Sequence, residues 1–358
     1  MDHFNLRNGV LHAEDVPLPA IADAIGTPFY CYSAATIERH FRIFKDALHG
    51  LEHDGAGPVI AFAVKSNPNA SVLATLAALG AGADVVSEGE LLRALRAGVA
   101  PDKIVFSGVG KTGEEMAAAL SAGIGQFNLE SEPEAEMLSA VATRMGRTAA
   151  VAFRVNPDVD AGTHAKISTG LAENKFGVPY DPRLPEPPTP AAYGEMVRAA
   201  TKGWNVRLTF EPGRVIVGNA GVLVSRVIRL KQGAATGFVV VDAAMNDLLR
   251  PSLYDAWHDI HAVVPRQGEV EATVVGPVCE TGDTFAVGRA LTPVEPGDLV
   301  AFRTAGAYGA TMAGTYNSRL LIAEVMVKAG EFAVVRRRQT LEELLGADSV
   351  APWLTNRG

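Results

Sequence analysis

Lys65 closes an apolar, β-type run inside PVIAFAVKSNPN (residues 58–69), just where the chain turns into a loop. An ammonium held out of water there has a lowered pKa, and the free amine is a Schiff-base nucleophile toward a carbonyl such as that of pyridoxal phosphate (PLP). Glu211 ends a second such run in FEPGR, where Pro212 and Gly213 turn the chain outward and Arg214 offers a two-pronged donor for carboxylate or phosphate. An acid beside a pyridine nitrogen keeps it protonated, so Lys65 and Glu211 form the pair that PLP chemistry needs. Each alone has a plainer reading: a snorkelling lysine after an edge strand, and half of an ion pair.

Three later stretches set more polar and aromatic residues at strand-to-loop turns. DAAMNDLLRPSLYDA (242–256) carries Arg250 and Tyr254, GPVCETGD (276–283) carries Cys279 and Glu280, and GAYGATMAGTYNSR (306–319) carries Tyr308 and Tyr316 among small residues. Taken singly they read as a core cysteine, solvated charges and interface tyrosines. A competing signal lies in SGVGKTGEE. Gly108, Gly110 and Gly113 follow a strand in G-x-G-x-x-G spacing, with Glu130 about twenty residues on, the layout of a dinucleotide site. It would open the third βα unit rather than the first, and Val105 stands where a P-loop needs glycine, so a tight βα turn of small residues is the simpler account.

The elements that must position these residues are short β-branched runs alternating with helical stretches, at 59–64, 83–87, 103–107, 125–129, 149–155 and 206–210. The helix expected over 88–97 sets Leu91, Leu92 and Leu95 inward. From 156 to 190 the rhythm fails, ending in the proline-rich DPRLPEPPTP. After Gly218 the pattern becomes β-rich, reading as an antiparallel sheet or barrel, which residues 4–11 are expected to join as an extra strand.

With 358 residues, 48% of them apolar, the chain can bury the cores of two domains. A net charge of -8 disfavours nucleic acid and anionic membrane as partners and leaves a small-molecule substrate. The lone basic run, 336–338, is short. Two cysteines, Cys31 and Cys279, make neither a disulfide framework nor a zinc cluster, and a reducing cytoplasm fits them. No run approaches the roughly 18 apolar residues of a membrane span.

Together, Lys65, FEPGR and the later motifs resemble the PLP-dependent decarboxylases that pair an alanine-racemase-like barrel with a C-terminal β domain, and most closely the diaminopimelate decarboxylase family. HAKISTGLAENKFG (164–177) and the C-terminal RRRQTLEELLGAD share the resemblance. It implies an α/β plus β fold: an N-terminal strand in 1–27, a TIM-type (β/α) barrel in 28–218 and an antiparallel β domain in 219–358. It also implies PLP-dependent decarboxylation of meso-diaminopimelate to L-lysine. Lys65 would carry the cofactor, and Glu211, Gly213, Arg214 and Tyr316 would bind it. Arg214, Arg250, Tyr254, Glu280 and Tyr316 would hold the substrate, with Cys279 as proton donor to the α-carbon. In this family Cys279 and Glu280 enter the neighbouring subunit's site, so a homodimer with shared active sites is implied. Two arginines at the distal end independently favour a substrate with a far carboxylate over ornithine or arginine, whose far ends are cationic.

One departure is large. Between KFG and EPGR the family carries a strand ending in a His-Ile-Gly-Ser type sequence and then a strand ending in a glycine-rich phosphate loop. In this chain KFG (175–177) runs through VPYD (178–181) straight into the proline stretch. Six strands remain where an eight-stranded barrel is expected, short of two βα units. The expectation is an open edge or a new strand number, weak PLP affinity and poor turnover.

Overall fold

The computed structural model describes residues 2–155, 188–233 and 237–355. Near the N-terminus β1 (Phe4–Arg7), β2 (Val10–Ala13), β3 (Val16–Pro17) and α1 (Leu18–Ile25) precede β4 (Phe29–Ser33) and α2 (Ala34–Ala47). Then come β5 (Val59–Ala63), α3 (Ala70–Ala78), β6 (Gly82–Val85), α4 (Glu88–Arg96), β7 (Ile104–Phe106), α5 (Gly113–Ala122), β8 (Gln126–Leu129), α6 (Glu132–Met145) and β9 (Val151–Phe153). After the undescribed stretch follow α7 (Pro190–Ala200) and β10 (Thr209–Phe210). The six expected runs thus coincide with β5 to β10.

Helix starts are set by short polar caps placed right after the strands. The side chains of Asn69, Ser87, Thr112 and Ser131 accept from the first-turn backbones of α3, α4, α5 and α6, and Thr112 closes a reciprocal box with Glu115. Gly123 and Gly146 end α5 and α6 in the left-handed conformation that glycine adopts without penalty. On α4 the buried face is Leu91 and Ala94. Leu92, expected inside, is 44% exposed, because it is turned about 100° from Leu91.

The six strands form one parallel sheet in the order β10-β5-β6-β7-β8-β9. β10 pairs beside β5, Phe210 opposite Ile60, as the last strand of a closed barrel sits beside the first. Nothing among the described residues bridges β9 to β10, so the described strands form a curled half-barrel, and the two units expected to be missing would fall between these two strands. β6 and β7 are buried on both faces, and each fully enclosed ring, such as Phe62, Phe106 or Phe127, contributes roughly 1.5–3 kcal/mol. On β9, by contrast, Val151 and Phe153 are 45% and 65% exposed.

The second body is built on the long β11 (Gly221–Gln232), with β12 (Gly237–Val241), β13 (Ile260–Ala262), β14 (Val270–Val275), β15 (Thr284–Leu291), β16 (Leu299–Phe302), β17 (Ala323–Lys328) and β18 (Glu331–Arg336). The path is β15-β14-β12-β11-β4-β17-β18, and β16 joins β11 to β13. Most pairs are antiparallel, as expected for this domain, but β12 with β14 and β17 with β4 are parallel. The boundary expected at residue 28 falls just ahead of β4, which lies inside this sheet. The N-terminal run forms its own sheet, β1-β2-β3, tied to the domain by the Leu11 amide on the Val263 carbonyl and by a core that Phe4 and Leu11 share with Val222 and Val325. Residues 164–181, including KFG and the VPYD join, lie outside the described residues.

Candidate active site

The carboxyl ends of β10, β5, β6, β7 and β8 bring Glu211, Lys65, Asp84, Ser107 and Asn128 together. Lys65 sits in a single 3-10 turn (Val64–Ser66) after β5, and its Nζ lies 2.5 Å from Oδ2 of Asp84 on β6. Asp84 is wholly enclosed, while the Lys65 side chain is 42% exposed, so the amine is presented to the space above the strand ends. Burial draws the Lys65 pKa down, but the charge and hydrogen bond of Asp84, helped by Tyr308 and Glu211, outweigh it and the net shift is upward. The lowered value expected from the sequence is therefore corrected. The strand end is desolvated, yet it also holds an acid.

Oε1 of Glu211 accepts a hydrogen bond from Nδ2 of Asn128 at 3.0 Å. Desolvation and the Asp84 charge push the Glu211 pKa up, against the Asn128 bond, Lys65 and Arg154. Gly213 lies against the lysine turn. A Cβ there would meet Cβ and Oγ of Ser66 at 3.1 and 3.2 Å and Cβ of Ala63 at 3.3 Å, so the FEPGR glycine permits the two loops to touch. The lysine loop is also pinned from the β domain. The Tyr308 amide donates to the Ser66 carbonyl at 2.8 Å, Nδ2 of Asn67 donates to the Gly306 carbonyl at 3.0 Å, and Nδ2 of Asn69 donates to Oε2 of Glu324 at 3.0 Å.

Tyr308 joins this corner to a cationic one. The Arg214 guanidinium lies 5.0 Å from the centre of its ring and the Arg250 guanidinium 5.9 Å. Arg250 and Tyr254, one turn apart on α9 (Arg250–Tyr254), are also in cation–π contact at 5.4 Å. Burial first and then the charge of Arg214 bring the Arg250 pKa down to about 10, and burial lowers that of Arg214. Among the described residues neither guanidinium makes an ion pair. Two close cations left unneutralised are a site for an anion.

Tyr316, Glu280 and Cys279 make a third group. Tyr316 hydrogen-bonds Glu280, which raises the Tyr316 pKa, and the backbone amide of the exposed Cys279 donates to Oδ1 of Asn317 at 3.2 Å. Among the described residues no hydrogen bond or ion pair joins Cys279, Glu280 or Tyr316 to Lys65 or Glu211. The chain therefore unites Lys65 with Glu211 and Gly213, and Arg214 with Arg250 and Tyr254, while Glu280 of the third group lies beside α9, where a Cβ at Gly282 would meet Oε1 of Glu280 and Oγ of Ser252 at 3.1 Å each.

SGVGKTGEE forms the turn between β7 and α5, and its lysine is spent inside the protein. Lys111 folds under the loop, and its buried ammonium spends its protons on oxygens of Gly108, Asn128 and Glu134. Sequence reasoning missed Asp84 and Asn128 and gave Tyr308 no role. The available signal for Asp84 was a lone acid inside the apolar run GADVV.

Residues 34–186 match the family model described as the pyridoxal-binding domain of pyridoxal-dependent decarboxylases. With a lysine and an acid at adjacent strand ends of a parallel barrel sheet, the chain is a PLP-dependent decarboxylase by class. It is 47% identical to a diaminopimelate decarboxylase of Zymomonas mobilis across 98% of this chain and 99% of that one. Among solved structures it is similar to the M. jannaschii diaminopimelate decarboxylase in complex with L-lysine, at 30% identity and TM-score 0.90 over 99% of each chain. It is also similar to the Helicobacter pylori enzyme complexed with L-lysine, at 34% identity and TM-score 0.86 over 92% of this chain and 98% of that one. The chain belongs to the diaminopimelate decarboxylase family, and its cofactor is PLP. The Zymomonas alignment runs over 423 positions against 358 residues here, which leaves at least 65 with no counterpart in this chain.

The residues present fit the ring end of PLP. An amine faces open space beside an enclosed acid whose Oδ1 has no partner, and a second carboxylate, Glu211, follows β10 on the other side of β5. The sequence holds no glycine-rich segment between KFG and FEPGR to cradle the phosphate.

Proposed function

We propose that this chain decarboxylates meso-diaminopimelate to L-lysine, with Lys65, Glu211, Gly213, Arg214 and Tyr316 at the cofactor and Arg214, Arg250, Tyr254, Glu280 and Tyr316 at the substrate. The observation that carries the choice of substrate is the unneutralised Arg214 and Arg250 pair across Tyr308. A distal carboxylate gains two charge-assisted contacts there, whereas the ammonium of ornithine or lysine meets two like charges.

Bound PLP supplies the electron sink for the pair released when the bond to the α-carboxylate breaks. Lys65 supplies the amine that attaches the cofactor, and Asp84 takes the charge partnership that sets when that amine is free. Glu211 keeps a proton on the ring nitrogen. Cys279 of a second copy gives its thiol proton to the α-carbon in place of the departed CO2, which requires a homodimer with shared sites. Two free thiols, Cys31 and Cys279, fit the cytoplasm that we propose as the compartment. No described helix is long and apolar enough to cross a membrane.

A second reading has its own support. The gap between β9 and β10 among the described residues and the 65 or more absent positions favour a chain that holds PLP weakly and turns over poorly, a catalytically impaired remnant or a regulatory homologue that only dimerises, through its β domain. A PLP titration followed by the visible absorbance of the lysine-bound cofactor, beside Lys65→Ala, separates the two. A saturable band that needs Lys65, together with CO2 release from diaminopimelate but not ornithine, supports the enzyme. No band at millimolar PLP would leave the impaired homologue standing.

A further inference from the structure

Lys111 comes from the one motif that the proposed chemistry leaves unused. Its side chain is 1% exposed, and Nζ donates to the Gly108 carbonyl at 2.5 Å, the Asn128 carbonyl at 2.8 Å and Oε1 of Glu134 at 2.5 Å. The other Glu134 oxygen accepts from the Glu130 amide at 2.7 Å. A buried ion pair is tolerable only when its remaining protons are satisfied, and here all three ammonium protons are. The consequence is mechanical: one sealed charge ties the loop after β7 to the end of β8 at Asn128.

The Asn128 side chain is fixed just as fully. Its Oδ1 accepts from Nε2 of Gln126 at 2.7 Å, and Nδ2 donates to Oγ of Ser107 and to Oε1 of Glu211, each at 3.0 Å. With every polar atom of the amide engaged, a flip would set Oδ1 against the Glu211 carboxylate and Nδ2 against the Gln126 amide donor, breaking both of those bonds. One oxygen of Glu211 is thereby committed to the protein, and among the described residues the other has no hydrogen-bond donor, which leaves it for one from the ligand side.

We propose that Asn128, held in place by Lys111, is a positioning residue for Glu211, orienting its carboxylate so that Oε2 faces the ring nitrogen of PLP. The inference rests on the reading of Glu211 as the ring partner. The groups that face Glu211 are Lys65 after β5, Asp84 on β6, Asn128 on β8 and Arg154 after β9. A donor to the carboxylate favours its ionised form, which is the form able to accept from a protonated ring nitrogen.

The test uses full-length protein without cofactor, its glutamates labelled with carbon-13 at the carboxyl, and Glu211→Gln to assign the Glu211 signal. In Asn128→Leu, which keeps the size but removes the donor, and in Asn128→Ala, Glu211 is expected to titrate at higher pH than in the parent chain. Lys111→Met, which frees the Asn128 carbonyl, is expected to give a smaller shift of the same sign. In the parent protein the Asn128 side-chain amide resonances should move with pH in step with the Glu211 carboxyl, a readout that needs no variant. An Asn128 amide indifferent to that titration, or folded Asn128 variants in which Glu211 titrates as in the parent, overturns the proposal. The reading of Glu211 is judged separately by PLP affinity: Glu211→Gln binding PLP as tightly as the parent removes the ring partnership and leaves the hydrogen bond intact.

Discussion

Asp84 holds Lys65 across two neighbouring strands at 2.5 Å; burial pulls the pKa of the amine down, and Asp84, with Tyr308 and Glu211, carries it up past its ordinary value. Removing the acid by Asp84→Asn leaves desolvation dominant, so the Lys65 pKa should fall. The pH midpoint for forming the visible PLP band is expected to move down. The raised pKa of Lys65 also contributes stability below its ordinary value of 10.5 that is lost as pH rises through the higher folded value. The alkaline arm of a stability curve that begins above pH 10.5 should therefore be present in the parent and missing from Asp84→Asn.

The two guanidiniums repel each other until an anion joins them. Arg250→Met is expected to raise the KM for diaminopimelate about 30-fold, the equivalent of ~2 kcal/mol for one lost charge-assisted contact, with a much smaller change in kcat. The same substitution relieves the repulsion on Arg214, so the melting temperature of the ligand-free protein should hold or rise. A fall in melting temperature of more than a few degrees would count against an unneutralised pair.

Gly213→Ala tests the contact between the two loops. The added methyl meets Ser66 and Ala63 at 3.1–3.3 Å, and Ser66 is buried and bonded to the Ala63 carbonyl, so it cannot step aside freely. A loss of about 1–3 kcal/mol in urea unfolding is expected, with weakened PLP binding because Lys65 shifts along with Ser66. Unaltered stability would mean that the loops have more room than the geometry gives them.

His258 provides a pH dependence of opposite sign to that of Lys65. Burial, opposed by its bond to the Arg303 carbonyl and reinforced by Arg250 and Arg214, brings its pKa down to about 4 from 6.5. The unfolded chain takes up the proton first, so stability is lost as pH falls from 6.5 toward 4, by up to ~3 kcal/mol. In His258→Gln that acid-side slope should flatten, as followed by melting temperature between pH 7 and pH 4.

Much of the barrel could be read because its strands are short apolar runs closed by polar caps, a pattern that local chemistry dictates. The six runs matched β5 to β10 for that reason, and Lys65 and Glu211 were recognisable as residues breaking an apolar run at its end. What stayed hidden depends on pairing between distant segments. That Asp84 meets Lys65, that Asn128 reaches Glu211 and that Tyr308 stands between two arginines all follow from strand order, which no local spacing encodes. The sign of the Lys65 shift was misread for the same cause, since burial can be inferred from neighbours in sequence and an ion pair across strands cannot. The parallel pairing of β4 with β17 is likewise a property of the assembled sheet.

The bonds that pin the lysine loop run to Gly306 and Glu324, which follow their partners by 239 and 255 residues. At roughly 5–20 residues per second on the ribosome, the turn bearing Lys65 must wait on the order of tens of seconds before its far supports emerge. The nascent barrel can therefore build its strands early but cannot finish its cofactor seat until almost the whole polypeptide has been made. PLP capture is consequently a late event in the life of each molecule, and a chain truncated before residue 306 would lose the seat while keeping Lys65 itself.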